Sequence, residues 1–534
     1  MSSRLAILAA SCAACVAVAS PVLAQKAGGT LRISHRDNPP SASIHEESTI
    51  SVNQPFMAVF NNLVLFDPNE KVNSPDHIVP DLAESWAWDD SKTKLTFKLR
   101  QGVKWHDGKP FTSADVKCTW DQVSGLREDE KNPIVRKSPR KGWYTNLKEV
   151  KTNGDFEVTF VLGRPQPSFL AMLAGGYSPV YACHVPDRVM RSKPIGTGPF
   201  KVAEFKRNES IRLVKNPDYW KKGRPYLDAI EWKIVPNRST RLLGFQSGEF
   251  DMTFDSDVTF PLLKDVMAAK PNAVCEARPT NVNSNILVNR DSPPFDNADI
   301  RHAMVLALDN RAFADILSQG HDLDGAVMLP PPDGFWGMPK EMLPTLLGHS
   351  PDIAKNREEG RKIMEKLGYT KDKPLKIKVA TRNIAIYRDP AVILIDQLKN
   401  VNIEGELENI DTTVWYTKLA RKDYQVGFNL TGVGIDDPDV NFYENYYSTS
   451  DRNYTAYKNP EVDKLIDQQS AELDRDKRKK LVWQIEKVLA DDAARPILGY
   501  NVANTCWDPK VKGVVLQVNS IYNGWRFDDV WIDK

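Results

Sequence analysis

The hydrophobic pattern of this chain changes near residue 296, and that change limits the folds it can adopt. Before it, short segments alternate apolar and polar residues, as Leu95, Phe97 and Leu99 do in KLTFKLR, which is typical of half-buried strands. After it, apolar residues recur near the helical period of 3.6, and the strand-like LKIKVA leads into the helix-like AVILIDQLKN. Strands that alternate with helices build parallel sheets covered by helices, so the sequence predicts an α/β protein.

The length of the chain adds a second limit. A chain of 534 residues is too long for one ordinary core, so we expect two or three domains. The sequence has no internal repeat, no low-complexity segment and no obvious flexible linker, which favours lobes joined by short crossing strands. The 71 basic and 70 acidic residues leave a net charge of +1. That balance argues against broad electrostatic binding of nucleic acid or anionic lipid.

The first 24 residues have the parts of a secretory signal. A basic residue precedes the apolar run LAILAASCAACVAVA, and Val22 and Ala24 form the small-residue pattern of a cleavage site. We expect cleavage after Ala24 and a soluble, periplasmic mature protein, because no other segment approaches ~20 uninterrupted apolar residues. An uncleaved anchor and a lipoprotein made through Cys12 or Cys15 are the less favoured alternatives.

If the protein is exported, its remaining cysteines are expected to form disulfides. Cys118, Cys183, Cys275 and Cys506 lie outside the signal, and four cysteines in an oxidising compartment allow three pairings. None belongs to a CxxC motif or to a zinc-like spacing with histidine. We therefore expect two structural disulfides and no metal bound through sulfur.

Patterns of catalysis are missing from the sequence. It contains no GxxxxGK[ST] phosphate loop and no GxSxG nucleophile elbow. HEES at 45–48 begins like a zinc-protease helix but lacks the second histidine. The sequence thus predicts no catalytic residue, no metal, no cofactor and no enzyme activity.

Four segments, in this order, carry a resemblance to a known family: HIVPDLAESWAWDDSKTKLTFKLRQGVKWHDGKPFTSADV, IGTGPFKVAEFKRNESIRLVKNPDYW, LVNRDSPPFDNADIRHAMVLALDNRAF and IDDPDVNF. The chain resembles the extracytoplasmic solute-binding proteins of ABC importers, in the peptide, opine and nickel group (family 5), over nearly its whole mature length. The resemblance implies an α/β, two-lobe periplasmic-binding-protein (type II) fold that closes on its ligand, with an extra subdomain on the first lobe.

The resemblance also implies a division of the chain. Lobe 1 would comprise residues 26–62, 185–278 and 496–534, the extra subdomain residues 63–184, and lobe 2 residues 279–495. The chain would then cross between the lobes twice, near TNVNSN and near RPILGYN.

The same division implies how the cysteines pair. Cys275 would lie just before the first crossing and Cys506 just after the second, so a disulfide between them would join the two crossing strands. A second disulfide, between Cys118 and Cys183, would lie inside the extra subdomain.

A departure from the family pattern concerns the loop TGVGIDDPD. In peptide-binding relatives this loop carries an aspartate that pairs with the α-ammonium group of the ligand, and the matching position here is Gly434. Two explanations are open. Asp436 or Asp437 reaches in from a shifted loop, or the ligand has no free amine there, and we favour the second.

Other expected ligand contacts follow from the resemblance as well. Arg382 matches the place where dipeptide binders grip a carboxylate, a group that suits its planar guanidinium, unless it is a solvated charge at a strand end. Thr412 matches the position of an aromatic wall, and the nearby Trp415 is either a stacking platform or a core residue. Asn283 and Asn285 supply polar groups at the first crossing, as HRDNPPSASIHEES does in the first lobe.

Together these features predict a monomeric receptor that captures a small organic solute between two lobes. The solute would be a peptide or peptide-like compound, an opine or another carboxylate-bearing compound. The receptor would deliver it to the permease and ATPase subunits of an ABC importer at the inner membrane, with no nucleic-acid partner. The alternatives are an exported α/β hydrolase and a sensor or chaperone with the same fold.

Overall fold

The computed structural model describes residues 25–125 and 138–534. The predicted signal and its cleavage site after Ala24 lie outside these residues. Within them, no helix is both long enough and apolar enough to cross a bilayer.

The strands of the described chain are short except for two. They are β1 (Thr30–His35), β2 (Val64–Phe66), β3 (Ile78–Pro80), β4 (Ala83–Trp88), β5 (Lys94–Leu99), β6 (Leu147–Thr152), β7 (Glu157–Leu162), β8 (Phe200–Lys206), β9 (Ser210–Lys215), β10 (Ala229–Ile234), β11 (Val274–Val288), β12 (Leu375–Arg382), β13 (Ile403–Ile410), β14 (Val426–Gly432), β15 (Ile497–Trp507), β16 (Val511–Lys512) and β17 (Trp531–Ile532).

The α-helices are concentrated in the second half of the chain. They are α1 (Ile50–Phe56), α2 (Ser113–Ser124), α3 (Phe169–Ala174), α4 (Asp187–Met190), α5 (Arg238–Gln246), α6 (Phe260–Ala269), α7 (Ala298–Leu306), α8 (Asn310–Ser318), α9 (Ile353–Lys366), α10 (Ala385–Leu398), α11 (Thr412–Ala420), α12 (Pro438–Asn445), α13 (Pro460–Ala471) and α14 (Arg475–Asp491). Short 3₁₀ turns cover Met57–Val59, Pro75–His77, Lys141–Tyr144, Lys340–Thr345 and Lys399–Val401.

Three larger sheets organise these elements, and β2-β3 and β16-β17 form two-stranded sheets beside them. The first has the order β1-β10-β9-β8, with β1 parallel to β10, and the second is the antiparallel sheet β4-β5-β7-β6. The third has the order β13-β12-β14-β11-β15, in which β13, β12 and β14 are parallel and β11 and β15 are antiparallel to their neighbours. Helix α10 connects β12 to β13, so the predicted parallel α/β unit is confirmed.

The long pair β11 and β15 links two of these sheets. One half of the pair belongs to the five-stranded sheet, and at the other end Met252 bridges both Ile33 of β1 and Trp507 of β15. The pairing is irregular between Pro279 and Asn283.

The predicted disulfides are both confirmed. Cys275 and Cys506 face each other across β11 and β15 and are bonded, and Cys118 of α2 is bonded to Cys183. The first joins the two long strands near the end that adjoins the β1 sheet.

Candidate functional site

A cavity lies where the end of β1 approaches β11, β14 and the starts of α10 and α11. The space between its walls, including its open mouth, is about 430 Å³. Its walls come from both predicted lobes. They consist of Arg36, Thr49, Ile50, Ser256, Thr280, Val282, Ile386, Tyr387, Tyr416, Leu430, Gly432, Asn501, Ile521 and Tyr522.

Arg36 is the charged residue of this wall, and it directly follows β1. Its side chain is 4% exposed, and its Nε and Nη1 have no hydrogen-bond partner among the described residues. The guanidinium carbon lies 4.7 Å from the centre of the Phe254 ring. Burial lowers the pKa of Arg36, because the charged form loses its hydration. The site therefore contains a desolvated cation that forms no ion pair with a carboxylate of the described chain, since Asp257, which attracts it at longer range, is paired with Arg241.

Arg382, at the end of β12, does not line the cavity but contacts Tyr387 of its wall. It is 1% exposed, so the alternative of a solvated charge at a strand end is wrong. Its Nη2 donates to Asp37 Oδ2 at 2.5 Å, its Nη1 to Tyr387 Oη at 2.8 Å and its Nε to Thr412 Oγ1 at 3.0 Å. The guanidinium is thus neutralised by Asp37, and Thr412 holds its orientation.

Arg140, a further buried arginine, reaches the tyrosines of the wall from the other side. Its guanidinium carbon lies 3.3 Å from the centre of the Tyr177 ring, and the Tyr177 ring centre lies 4.6 Å from that of Tyr522. Arg140 Nη1 donates to the carbonyl of Glu47 at 2.8 Å, while its Nε has no hydrogen-bond partner among the described residues. A cation–π contact stabilises such a charge only in part.

The tyrosine hydroxyls of this region are neutral donors. Burial raises the pKa of Tyr177, Tyr416 and Tyr522 above the ordinary value, because the phenolate would lose its hydration. At neutral pH these side chains keep their protons. The cavity therefore offers hydroxyl groups and a guanidinium to a ligand, which suits a ligand rich in hydrogen-bond acceptors.

Gly434 lies in a loop beside this cluster, and the surrounding structure explains its lack of a side chain. A Cβ atom at Gly434 would meet the Trp143 ring at 3.0 Å and the Tyr177 ring at 3.6 Å. Trp143 is held there because its Nε1 donates to Glu444 Oε2 at 2.8 Å. An indole thus fills the space that an aspartate side chain would need.

The two aspartates of the same loop have partners outside the cavity. Asp437 is the N-cap of α12, where it accepts from Asp439 N at 2.9 Å, and it forms a bidentate ion pair with Arg478 at 2.7 and 2.9 Å. Asp436 accepts from Phe335 N at 2.9 Å, and burial raises its pKa to about 7. Neither side chain lines the cavity.

The remaining predicted contacts lie in the packed interior. Trp415 is fully buried in a cluster with Leu287 and Leu419. Asn285 donates to Thr431 Oγ1 at 2.9 Å and to Asn283 Oδ1 at 2.8 Å. The cavity wall next to them is formed instead by Thr280 and Val282 of β11.

Sequence reasoning did not single out several residues that line the cavity, among them Tyr387 and Tyr522. It named the segment HRDNPPSASIHEES, which contains Arg36, but not Arg36 itself. The one available signal was the polar run HRDN directly after a strand, since polar residues at a strand end commonly meet at one edge of a sheet.

Comparison with known proteins identifies the family. The model of the bacterial extracellular solute-binding proteins, family 5, middle region, matches residues 77–454. Heme-binding protein A of Haemophilus influenzae is 28% identical over 498 residues, which are 87% of this chain and 86% of that protein. The probable di/tripeptide-binding protein 5 of Pseudomonas aeruginosa is 26% identical over 93% of this chain and 95% of that protein.

A solved structure agrees with these matches. The periplasmic binding protein DppA of Helicobacter pylori, in complex with the peptide STSA, superposes with a TM-score of 0.83 at 21% identity, over 95% of this chain and 99% of that one. The chain belongs to family 5 of the bacterial extracellular solute-binding proteins. The predicted two-lobe fold class and the predicted function, the solute-binding component of an ABC importer, are confirmed, and the hydrolase and sensor alternatives are not favoured.

Proposed function

We propose that this protein captures a small organic anion in the cavity beside Arg36 and delivers it to the permease and ATPase subunits of an ABC importer at the inner membrane. The observation that carries this proposal is the buried guanidinium of Arg36, which lines the cavity without a hydrogen bond to its Nε or Nη1 from the described chain. A carboxylate on the ligand would supply the missing acceptors, since its two oxygens match the planar donors of arginine.

The energetics favour this role over a purely structural one. A buried charge without a partner destabilises a protein by several kcal/mol, on the order of what ligand binding can supply. Closure of two lobes also removes water from the site, which strengthens every charged contact inside it. The unpaired charge of Arg36 would thus destabilise the ligand-free protein, and a bound anion would remove that destabilisation by supplying a counter-charge.

A peptide with a free amino terminus fits this cavity poorly. The α-ammonium group would find no carboxylate at Gly434, and Asp37 and Glu444 already pair with Arg382 and Arg452. The peptide named in the Helicobacter structure and the substrate named for the Pseudomonas relative are therefore poor guides to this ligand. Peptide-like or opine-like compounds whose amine is blocked or absent, and other carboxylates, fit better.

The predicted division of the chain supports a closing motion. In it, residues 26–62, 185–278 and 496–534 form lobe 1, residues 63–184 the extra subdomain and residues 279–495 lobe 2. Several polar contacts cross the proposed boundaries, among them Arg382 with Asp37 and Ser168 Oγ with Asp439 Oδ2 at 2.6 Å. Arg382 would then close the lobes through Asp37 while Arg36 contacts the ligand.

The further parts of the proposal follow from the family. The mature protein would be a periplasmic monomer released by cleavage after Ala24, and it would leave its solute chemically unchanged. Membership of a family of binding proteins supports this role.

Uptake by living cells tests the proposal. Deletion of the gene should abolish removal of one class of organic anion from the medium, and a plasmid copy should restore it. A plasmid copy with Arg36→Gln should fail to restore uptake. A copy with Arg311→Gln is the control, because the Arg311 side chain is 91% exposed to solvent. Unchanged consumption of every organic anion by the deletion strain would contradict the proposal.

A further inference from the structure

We infer that the solute carries two anionic groups, one bound at Arg36 and the other at Arg140. This inference rests on the proposed function and refines the class of its ligand from an anion to a dianion. Its basis is the charge balance of the buried cluster around the cavity.

The cluster around the cavity includes four buried arginines, Arg36, Arg140, Arg382 and Arg452, and two of them have a carboxylate partner among the described residues. Arg382 pairs with Asp37, and Arg452 pairs with Glu444. Arg36 and Arg140 pair with no carboxylate of the described chain, although they are only 4% and 2% exposed. Within the described chain, Arg36 and Arg140 therefore lack a carboxylate in ion-pair contact and also keep a guanidinium nitrogen without a hydrogen bond. Arg495 has no carboxylate partner either, but its three guanidinium nitrogens donate to Asn285, Asn445 and Thr431.

Glu47, an acid near Arg140, forms no ion pair with it. Glu47 offers Arg140 its backbone carbonyl, while its carboxylate accepts from Ser41 Oγ at 2.7 Å. Burial also raises the pKa of Glu47, which weakens it as a counter-charge. Arg140 is therefore held in place without an ion pair to any carboxylate of the described residues.

Ring contacts connect the two arginines, although Arg140 does not itself line the cavity. Arg36 lines the cavity together with Tyr522. The Tyr522 ring contacts the Tyr177 ring, whose face carries the guanidinium of Arg140. A solute that extends from Arg36 along these tyrosine rings approaches Arg140. A solute with a single carboxylate would leave one guanidinium unmatched.

Thermal-shift and calorimetric titration with small dicarboxylates test this inference. The probes are linear dicarboxylates of increasing chain length, the monoamide of each one, and dipeptides with free amino groups. We expect at least one dicarboxylate to raise the melting temperature and to bind about 10- to 100-fold more tightly than its monoamide, since that range corresponds to the loss of one charge-assisted contact.

Variants separate a ligand contact from a structural role. Arg36→Gln and Arg140→Gln should each weaken binding of the dicarboxylate about tenfold or more. Each should hardly change the affinity for the monoamide, which lacks the carboxylate that the substituted arginine would bind. Without ligand, each should melt at the same temperature as the wild type or higher, because a buried unpaired charge is removed. Arg311→Gln should change neither property.

The outcomes also separate this inference from the proposed function. Equal affinity for dicarboxylate and monoamide, or no response to any dicarboxylate, would overturn the inference that the solute is a dianion. If the uptake test of an organic anion still succeeds, the proposed function survives that result. Preferential binding of free dipeptides would overturn both.

Discussion

Arg36 and Arg382 show what is decided at the scale of single residues. Both arginines lie at strand ends in the structure, and the family pattern points to Arg382 alone. Asp37, 345 positions away in the chain, pairs with Arg382 and leaves Arg36 facing the cavity. The contact between Asp37 and Arg382 decides which of the two guanidiniums has no ion-pair partner. Because that contact is long-range, no local sequence pattern could have predicted the unpaired one. The predicted absence of a carboxylate at Gly434, by contrast, could be read directly.

Asp436 gives a prediction at the same scale. Its folded pKa is about 7, above the ordinary 3.8, because the carboxyl is buried. Below pH 3.8 both states hold the proton. Between these two values the unfolded chain releases its proton while the folded protein keeps it, so this group lowers stability as the pH rises through that window.

Asp436→Asn removes that titration. The melting temperature of the variant minus that of the wild type should therefore increase as the pH rises from about 4 to about 7. Above about pH 7 this difference should stay constant. The measurement is a melting series over pH for the two proteins without ligand. Parallel curves would show that Asp436 titrates normally in the fold.

At the scale of elements, sequence patterns predicted type better than boundaries. KLTFKLR is strand β5, and AVILIDQLKN lies in α10 and the turn after it. The helical periodicity that runs through residues 300 to 317 is interrupted, however, because Asp309 caps a new helix by accepting from Ala312 N at 3.0 Å. Hydrophobic periodicity indicates which face of a helix is buried. The pattern therefore continues across the boundary between two helices when both pack on the same core.

Helix α12 provides the prediction for this scale. Asp437 both caps the helix and pairs with Arg478, which also contacts Asp439 Oδ1 at 3.3 Å. Asp437→Ala should therefore lower the free energy of unfolding by about 2–3 kcal/mol, through loss of the cap and of one of the two carboxylate partners of Arg478. Asp437→Asn keeps the capping oxygen and should be about 1 kcal/mol milder than Asp437→Ala, because asparagine caps as well as aspartate.

Asp474 is the matched control for this test, because it caps α14 through Asp476 N and Lys477 N at 3.0 Å but lies at the surface. Asp474→Ala should lower the free energy of unfolding by about 1 kcal/mol. Urea denaturation measures all three variants. Equal losses for the two alanine variants would mean that the Arg478 pair contributes nothing.

At the scale of the whole molecule, the order of motifs was more informative than any single pattern. The family resemblance implied both disulfides, and the structure contains both. Composition and periodicity alone left three pairings open and gave no arrangement of lobes. The ligand cavity was beyond either approach, because its walls gather residues from Arg36 to Tyr522.

The central claim is that two lobes close around an organic anion held by Arg36. Small-angle X-ray scattering, with and without the solute that most stabilises the wild type, tests it most directly. We predict that saturating solute reduces the radius of gyration of the wild type, and that Arg36→Gln at the same solute concentration keeps the ligand-free value. A wild-type scattering curve that is identical with and without saturating solute would contradict the account.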